Sequence, residues 1–263
     1  MEELSNKLIL LSNTLPKNLL RKISDCLIKS RKSLSEIQFE ILSSIPQISA
    51  RQNISDFFDY WADKFPEVSP GQIGFTLQTL IISDEVRNDQ QGDINLIWTG
   101  PKTEHFTLRR IDQTLLDIIR SCTDEVFLVS FAVYKIPPLI SEIEGAIQRG
   151  VRFKFLLETP ETSDGTMSHD PRLSFSSLIS DNSDFYIWPH ENRPMSVKGN
   201  RGVLHAKIAI GDEKHLLISS ANLTQHAMEI NMEMGVYIEN GDLPGNVGQH
   251  FTELIRKEEI IRL

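Results

Sequence analysis

Val203-Leu204-His205-Ala206-Lys207-Ile208-Ala209-Ile210-Gly211-Asp212-Glu213-Lys214-His215-Leu216-Leu217-Ile218-Ser219-Ser220-Ala221-Asn222 is the most informative stretch of the chain. Aliphatic residues on both sides of Gly211-Asp212-Glu213 predict two strands joined by a tight turn. Side chains two residues apart on a strand share a face, so His205 and Lys207 are expected to point the same way. A turn centred near Asp212 or Glu213 sets His205 opposite Ser220, within one position. Asn222, two residues further, falls on that same face. An imidazole, an ammonium and a carboxamide on one surface suit a phosphodiester. A neutral imidazole can attack phosphorus while lysine and asparagine hold the non-bridging oxygens.

Outward from this hairpin the pattern alternates. Residues 94–98 read as a strand, and residues 107–122 as a helix with Ile111, Leu115, Ile118 and Ile119 inward. Residues 126–133 form a near-continuous apolar run, as a central strand requires. Residues 137–149 read as a helix stopped by Gly150, and residues 151–157 and 185–188 as further strands. The alternation predicts an α/β layered domain over residues 94–263, with helices on both faces of its sheet.

Upstream, residues 1–90 predict a small all-α domain of four short helices. Leu15, Leu19, Leu20, Ile23 and Leu27 recur at helical spacing. Ser35-Glu36-Ile37-Gln38 has the form of a capping box. Ser55 is placed to cap a helix carrying Phe58, Trp61 and Phe65, and Ser69-Pro70 sets a cap before a first-turn proline. The polar run at residues 88–93 is expected to be a flexible joint. Between Lys17 and Lys32 the basic side chains face a single acid, Asp25, which offers either a nucleic-acid or acidic-partner surface or a solvated face.

With 263 residues, 40% hydrophobic and 24% charged, the chain can build its cores without disulfides or metals. Cys26 and Cys122 lie within apolar helical patterns and read as free thiols of a reducing compartment. The acidic start lacks a secretory leader, and no apolar run approaches the roughly 18 residues that span a bilayer. A soluble, cytoplasmic protein without a membrane partner is therefore expected. The net charge of −9 argues against a general nucleic-acid coat, though not against a local basic cleft. No Cys, His or carboxylate cluster has metal-ligand spacing, so neither a metal nor another cofactor is expected.

His205-x-Lys207-x4-Asp212, followed by Ser219-Ser220-Ala221-Asn222, resembles the HKD motif and downstream small-Ser-x-Asn element of the phospholipase D superfamily. Ser219 stands where that family usually has glycine. Asn231-Met232-Glu233-Met234-Gly235-Val236 is similar to the family's Asn-x-Glu strand. The resemblance implies a phospholipase D-like layered domain, with a mixed central sheet flanked by helices, acting through a phosphohistidine. It implies further that Ser220 and Asn222 belong to the site and that Asp212 supports the motif without touching substrate. Glu233 would orient a histidine as the acid of a triad does. Trp98-Thr99-Gly100-Pro101, Arg109-Arg110, residues 128–131 and residues 156–160 look like the phospholipase-D-like component of the bacterial DISARM anti-phage system. That likeness implies other defence proteins as partners.

A phosphohistidine mechanism needs a second group to protonate the leaving oxygen and later to activate water. Of the seven histidines, only His205 has lysine two residues on. A second copy is expected to supply the missing half through a two-fold contact, giving a homodimer with a shared site. Singly, each residue has an ordinary reading: Ser220 and Asn222 as caps of a helix starting near Leu223, Glu233 as a solvated strand residue. Jointly they predict a phosphodiester hydrolase, a metal-independent nuclease before a phospholipase or transphosphatidylase, since no apolar rim is evident. A catalytically silent assembly module is the remaining alternative. His169 and His190 read as loop residues that either line a substrate groove or, more often, are simply solvated, while Thr99-Gly100-Pro101 and Glu158 end strands and read either as cleft residues or as ordinary turn and strand-end positions.

Overall fold

Five helices form the bulk of the N-terminal part: α1 (Glu2–Thr14), α2 (Lys17–Lys29), α3 (Leu34–Ser43), α4 (Ile48–Lys64) and α5 (Pro70–Gln91). The computed structural model describes residues 1–263 except 106, 135, 164–166, 168 and 169, and His169 thus lies outside the described residues. The chain divides into two units, Met1–Asn88 and Asp89–Leu263. In the first, Leu20, Ile23, Ile37, Ile54, Phe58, Trp61, Ile73 and Leu77 close one buried core. Helix α3 is capped by Ser33, not Ser35. The Glu36 carboxylate accepts from the Ser33 N–H at 2.8 Å, and Ser33 Oγ accepts from the Glu36 N–H. Ser55 lies inside α4, which begins seven residues earlier. Ser69 does cap α5, with Gln72 closing the box.

The expected joint at residues 88–93 is largely helical, because Asn, Asp and Gln are polar without breaking a helix. Gly92, at φ +67°, is what ends α5. The basic run on α2 and just beyond it is mostly spent. Lys17 pairs with Asp84, Arg21 with Glu85, Lys29 with Asp25 and Lys32 with Glu40. Such exposed pairs add little stability, but they leave no continuous cationic stripe for a polyanion.

In the second unit β1 (Asp93–Thr99), α6 (Ile111–Ser121), β2 (Glu125–Ser130), β3 (Val133–Tyr134), α7 (Pro137–Gln148) and β4 (Arg152–Leu157) come first. They are followed by α8 (Ser177–Asp181), β5 (Ser183–Ile187), β6 (Ile208–Gly211), β7 (His215–Ser219), β8 (Leu223–Thr224), α9 (Gln225–Glu229), β9 (Glu233–Glu239), α10 (Leu243–Arg256) and β10 (Ile261–Arg262). Eight strands make a mixed sheet in the order β1-β9-β7-β6-β2-β4-β5-β10, and β3 pairs with β8 separately. β2, β4 and β5 are parallel, and the remaining pairs of the large sheet are antiparallel. One face packs Ile97, Leu128, Phe153, Ala209, Leu217 and Tyr237 with the apolar side of α6 and α7. The other packs Phe127, Ile210, Leu216 and Ile238 against Phe251 of α10. This is the layered α/β domain with a mixed sheet that the sequence predicts.

The helix expected from residue 107 starts at Ile111, because Arg109 is extended and its carbonyl accepts from Trp98 N–H at 2.9 Å. The run 126–133 breaks after Ser130, and Val133 joins the small sheet. The hairpin turns at Asp212 and Glu213, both at positive φ (50° and 55°), closed by Lys214 N–H to the Gly211 carbonyl at 2.9 Å. Non-glycine residues resist this conformation. The Asp212 carboxylate offsets the cost by accepting from the N–H groups of Thr123, Asp124 and Glu125 at 2.8–3.0 Å. Burial alone would raise its pKa, but those backbone donors outweigh burial and hold the carboxyl below the usual range. Asp212 therefore pins the hairpin turn to the start of β2.

Candidate active site

Strand polarity decides where the chemistry gathers. β2 and β4 end, β6 begins, β7 ends, and β9 begins opposite the end of β1, all along one edge of the sheet. The pairs Ser130↔Leu157, Val129↔Ile208, Ser219↔Gly235 and Thr99↔Glu233 define this edge. His205, Lys207, Ser220, Asn222 and Glu233 all lie along it or just beyond. Asp212 is at the opposite end of β6, where Val126 pairs with Gly211. Open α/β sheets bind ligands beyond the carboxyl ends of their parallel strands, and the cluster occupies that place.

Leu204, Ala206, Ile208 and Ile210 all join the core under α10, so the period-two alternation continues back past the start of the strand with His205 and Lys207 on the other side. β6 starts only at Ile208, although Ser219 N–H still donates to the Lys207 carbonyl at 3.1 Å. The backbone before it is engaged by side chains instead, with Leu204 N–H donating to Glu158 at 2.9 Å. His205 is exposed, and its ring meets Phe131 at 6.3 Å between centroids. Among the described residues no hydrogen bond reaches the imidazole. Lys207 is 7% exposed, set among Val129, Leu217, Ala221 and Leu223. Its Nζ turns back to donate to the His205 carbonyl at 2.6 Å. An ammonium has three protons to donate. Burial pushes the Lys207 pKa down, and the nearby Glu233 charge pulls it partly back.

Asn222 is placed by its neighbours. Leu223 N–H donates to Ser130 Oγ at 3.2 Å, and Leu223 pairs with Val133, which ties the segment to the end of β2. The helix-cap reading of Ser220 and Asn222 fails, because Thr224 caps α9 through Ala227 N–H. Asn222 Oδ1 is buried with no hydrogen-bond partner among the described residues. A buried acceptor left unpaired costs free energy. Ser220 Oγ donates to Glu233, and Asn231 donates to the other Glu233 oxygen at 3.1 Å. Within one chain Glu233 thus braces Ser220 and acts on Lys207 through its charge; no hydrogen bond from it reaches His205 among the described residues.

Residues 115–255 match the family described as "Cardiolipin synthase, PLD-like domain". The chain belongs to this phospholipase D-like family. Members of the wider superfamily are phosphodiester-acting enzymes. Cardiolipin synthase A of Buchnera aphidicola is 24% identical over 164 residues, which cover 62% of this chain but only 30% of that protein. NucT from Helicobacter pylori shares the fold at TM-score 0.50 and 15% identity, over 65% of this chain and 99% of that one. The phospholipase D family member Nuc from Salmonella typhimurium aligns at TM-score 0.46 and 17% identity, over 65% and 97% of the respective chains. Within this family frame, Arg193 had no signal in the sequence, being a lone arginine in a long connection. Ser130 and Phe131 had none beyond an apolar run and the resemblance at residues 128–131. Glu158 was legible as a strand-end acid within the stretch 156–160.

Proposed function

We propose that the protein is a metal-independent phosphodiesterase that cleaves nucleic acid through a phosphohistidine, at a site shared by two copies of the chain. What carries the reading is the convergence, on one sheet edge, of an exposed imidazole, a buried ammonium and a carboxamide whose buried oxygen has no partner among the described residues. One His205 nitrogen attacks phosphorus and the bond to the leaving oxygen breaks. The partner copy's imidazole gives that oxygen its proton, then takes a proton from the water that attacks the phosphohistidine. Lys207 and Asn222 hold the non-bridging oxygens as charge develops, and Glu233 orients a histidine across the shared site.

Support for the shared site comes from the single motif and from the sheet beside it. Leu96, Val236 and Ile218 form a cross-strand row, and Leu96, Ile218, Met234 and Ile94 are exposed. An uncovered apolar face of this kind suits a two-fold contact. Lys198 and Arg201, in the segment leading to His205, supply cations for the flanking phosphates of a polyanion. A cytoplasmic setting in anti-phage defence, with other defence proteins as partners, belongs to the same proposal and rests on the stretches at residues 98–101, 128–131 and 156–160.

One observation favours a second reading, phosphatidyl transfer or hydrolysis. Val203, Ile230 and Met232, close in sequence to His205 and Glu233, are exposed, and in this reading they supply the apolar rim that a lipid substrate needs. Purified protein with labelled DNA, labelled RNA and phosphatidylcholine vesicles, each with and without EDTA, separates the two. Nucleic-acid cleavage undiminished by EDTA is the expected result. Activity lost to EDTA and restored by Mg²⁺ would remove the histidine mechanism, and choline release without nucleic-acid cleavage would select the lipid reading.

The pH profile tests Lys207. The lysine must be cationic to hold a phosphate oxygen, and burial sets its pKa below that of an ordinary lysine. Rate should therefore fall as pH rises through that lowered pKa. Glu233→Gln removes the charge that holds the ammonium up, so it should lower the rate and move the alkaline limb of kcat/KM further toward neutral. A limb that stays in place would assign the titration to another group.

A further inference from the structure

We propose that the buried ion pair Glu158–Arg193 is a positioning device for His205, gripping the backbone on which the imidazole is mounted. The inference rests on His205 being the nucleophile. Glu158 directly follows β4, and Arg193 follows a short 3-10 turn at His190–Asn192. Their side chains are 0% and 1% exposed and meet at 3.0 Å. Segment 202–206 lies outside the sheet, so its buried backbone groups need other partners. Gly202 N–H donates to the Pro194 carbonyl at 3.0 Å. The Gly202 carbonyl accepts from Arg193 Nη1 at 3.2 Å. Leu204 N–H, one residue before the nucleophile, donates to Glu158 Oε2 at 2.9 Å.

The guanidinium is itself fixed on several sides. It donates to the Trp188 carbonyl at 2.5 and 2.8 Å and to the Thr162 carbonyl at 2.7 Å, with its Cζ 5.1 Å from the centroid of the Trp188 ring. For stability alone, an apolar pair of similar volume often does as well as a buried ion pair. What apolar residues cannot supply is an acceptor for Leu204 N–H. The carboxylate supplies it, and the guanidinium neutralises the carboxylate while holding Gly202. His205, exposed and without side-chain hydrogen bonds among the described residues, takes its place from this grip on the main chain.

The test compares E158Q/R193M with E158L/R193M. Both lose the ion pair and the bonds of the guanidinium, but only glutamine keeps an acceptor for Leu204 N–H. Two readouts are taken: hydrogen exchange of the Leu204 amide, and kcat and KM on bis(p-nitrophenyl) phosphate. Leucine is expected to speed exchange of that amide about 100-fold relative to glutamine and to lower kcat at least about 30-fold, with KM within about twofold. Equal kcat for the two pairs, or equal exchange, would overturn the proposal. Should the leucine variant fail to fold, the wild type decides, since an unprotected Leu204 amide in the native protein overturns the grip. A protected amide in a wild type that cleaves no phosphodiester would leave the grip standing and bring down the phosphodiesterase reading instead.

Discussion

His205→Ala is expected to abolish phosphodiester cleavage and leave the protein folded. The imidazole is exposed, its one ring neighbour is Phe131 at 6.3 Å, and no hydrogen bond holds it among the described residues. Truncating such a side chain changes stability by about 0.5 kcal/mol or less, so thermal unfolding should be unchanged within error. The rate should collapse for a separate reason. In a shared site the residue is nucleophile in one copy and acid then base in the other. Loss of an acid–base group costs about a hundred- to ten-thousand-fold, and loss of the attacking atom costs more. A gel assay on labelled DNA should show no product above background. Residual cleavage above about 1% of wild type, in protein with an unchanged melt, would mean that another group attacks phosphorus.

Mixed dimers sharpen this result. When wild-type and His205→Ala chains are mixed under exchange, each active site needs an intact His205 from both copies. Activity should then fall with the square of the wild-type fraction. A linear fall would show each chain working alone. Light scattering that finds an active monomer at assay concentration would remove the shared site outright.

The layered domain was legible because its central strands β2 and β4 are buried on both faces and read as apolar runs, while α6 and α7 carry a strong 3.6-residue pattern. The hairpin was legible from chemistry as well as pattern, since Gly211, Asp212 and Glu213 interrupt two aliphatic runs. α10 went unread although Leu243, Val247, Phe251 and Leu254 recur at helical spacing behind Pro244. The N-terminal caps were misplaced by two residues in α3 and by more in α4. Serines abound there, and only the hydrogen bond from Ser33 N–H to Glu36 picks one out.

At the site, spacing revealed which residues gather but not how deeply each is buried. Period-two alternation put His205 and Lys207 on one side, and the packing of Leu204, Ala206 and Ile208 in the opposite core keeps it so. Yet Lys207 is buried and His205 exposed, because His205 stands three residues before β6 begins. No local pattern encodes a bond between Glu158 and Leu204, 46 residues apart. The role of Glu233 was open for a similar reason. Its two oxygens take Ser220 and Asn231, and its effect on Lys207 acts through charge.

Asn222→Leu is expected to lower kcat about a hundred- to thousand-fold, the usual cost of removing one preorganised donor from a developing oxyanion, and yet to raise stability. The two effects come from the same side chain. In the resting protein the Asn222 oxygen is buried and unpaired among the described residues, a state that costs about 1–3 kcal/mol relative to a satisfied or apolar group. Leucine, with the same branching and the same number of side-chain heavy atoms, removes that cost and suits the neighbours Ala221 and Leu223, which are buried in the same core. In a unit of this size 1 kcal/mol moves Tm by about 2–4 °C, so a rise of a few degrees should be measurable by calorimetry. Wild-type kcat in Asn222→Leu would show that the carboxamide does not touch the phosphate. A fall in Tm would show that its oxygen is already engaged, and the site would lose the feature that most separates it from an ordinary strand end.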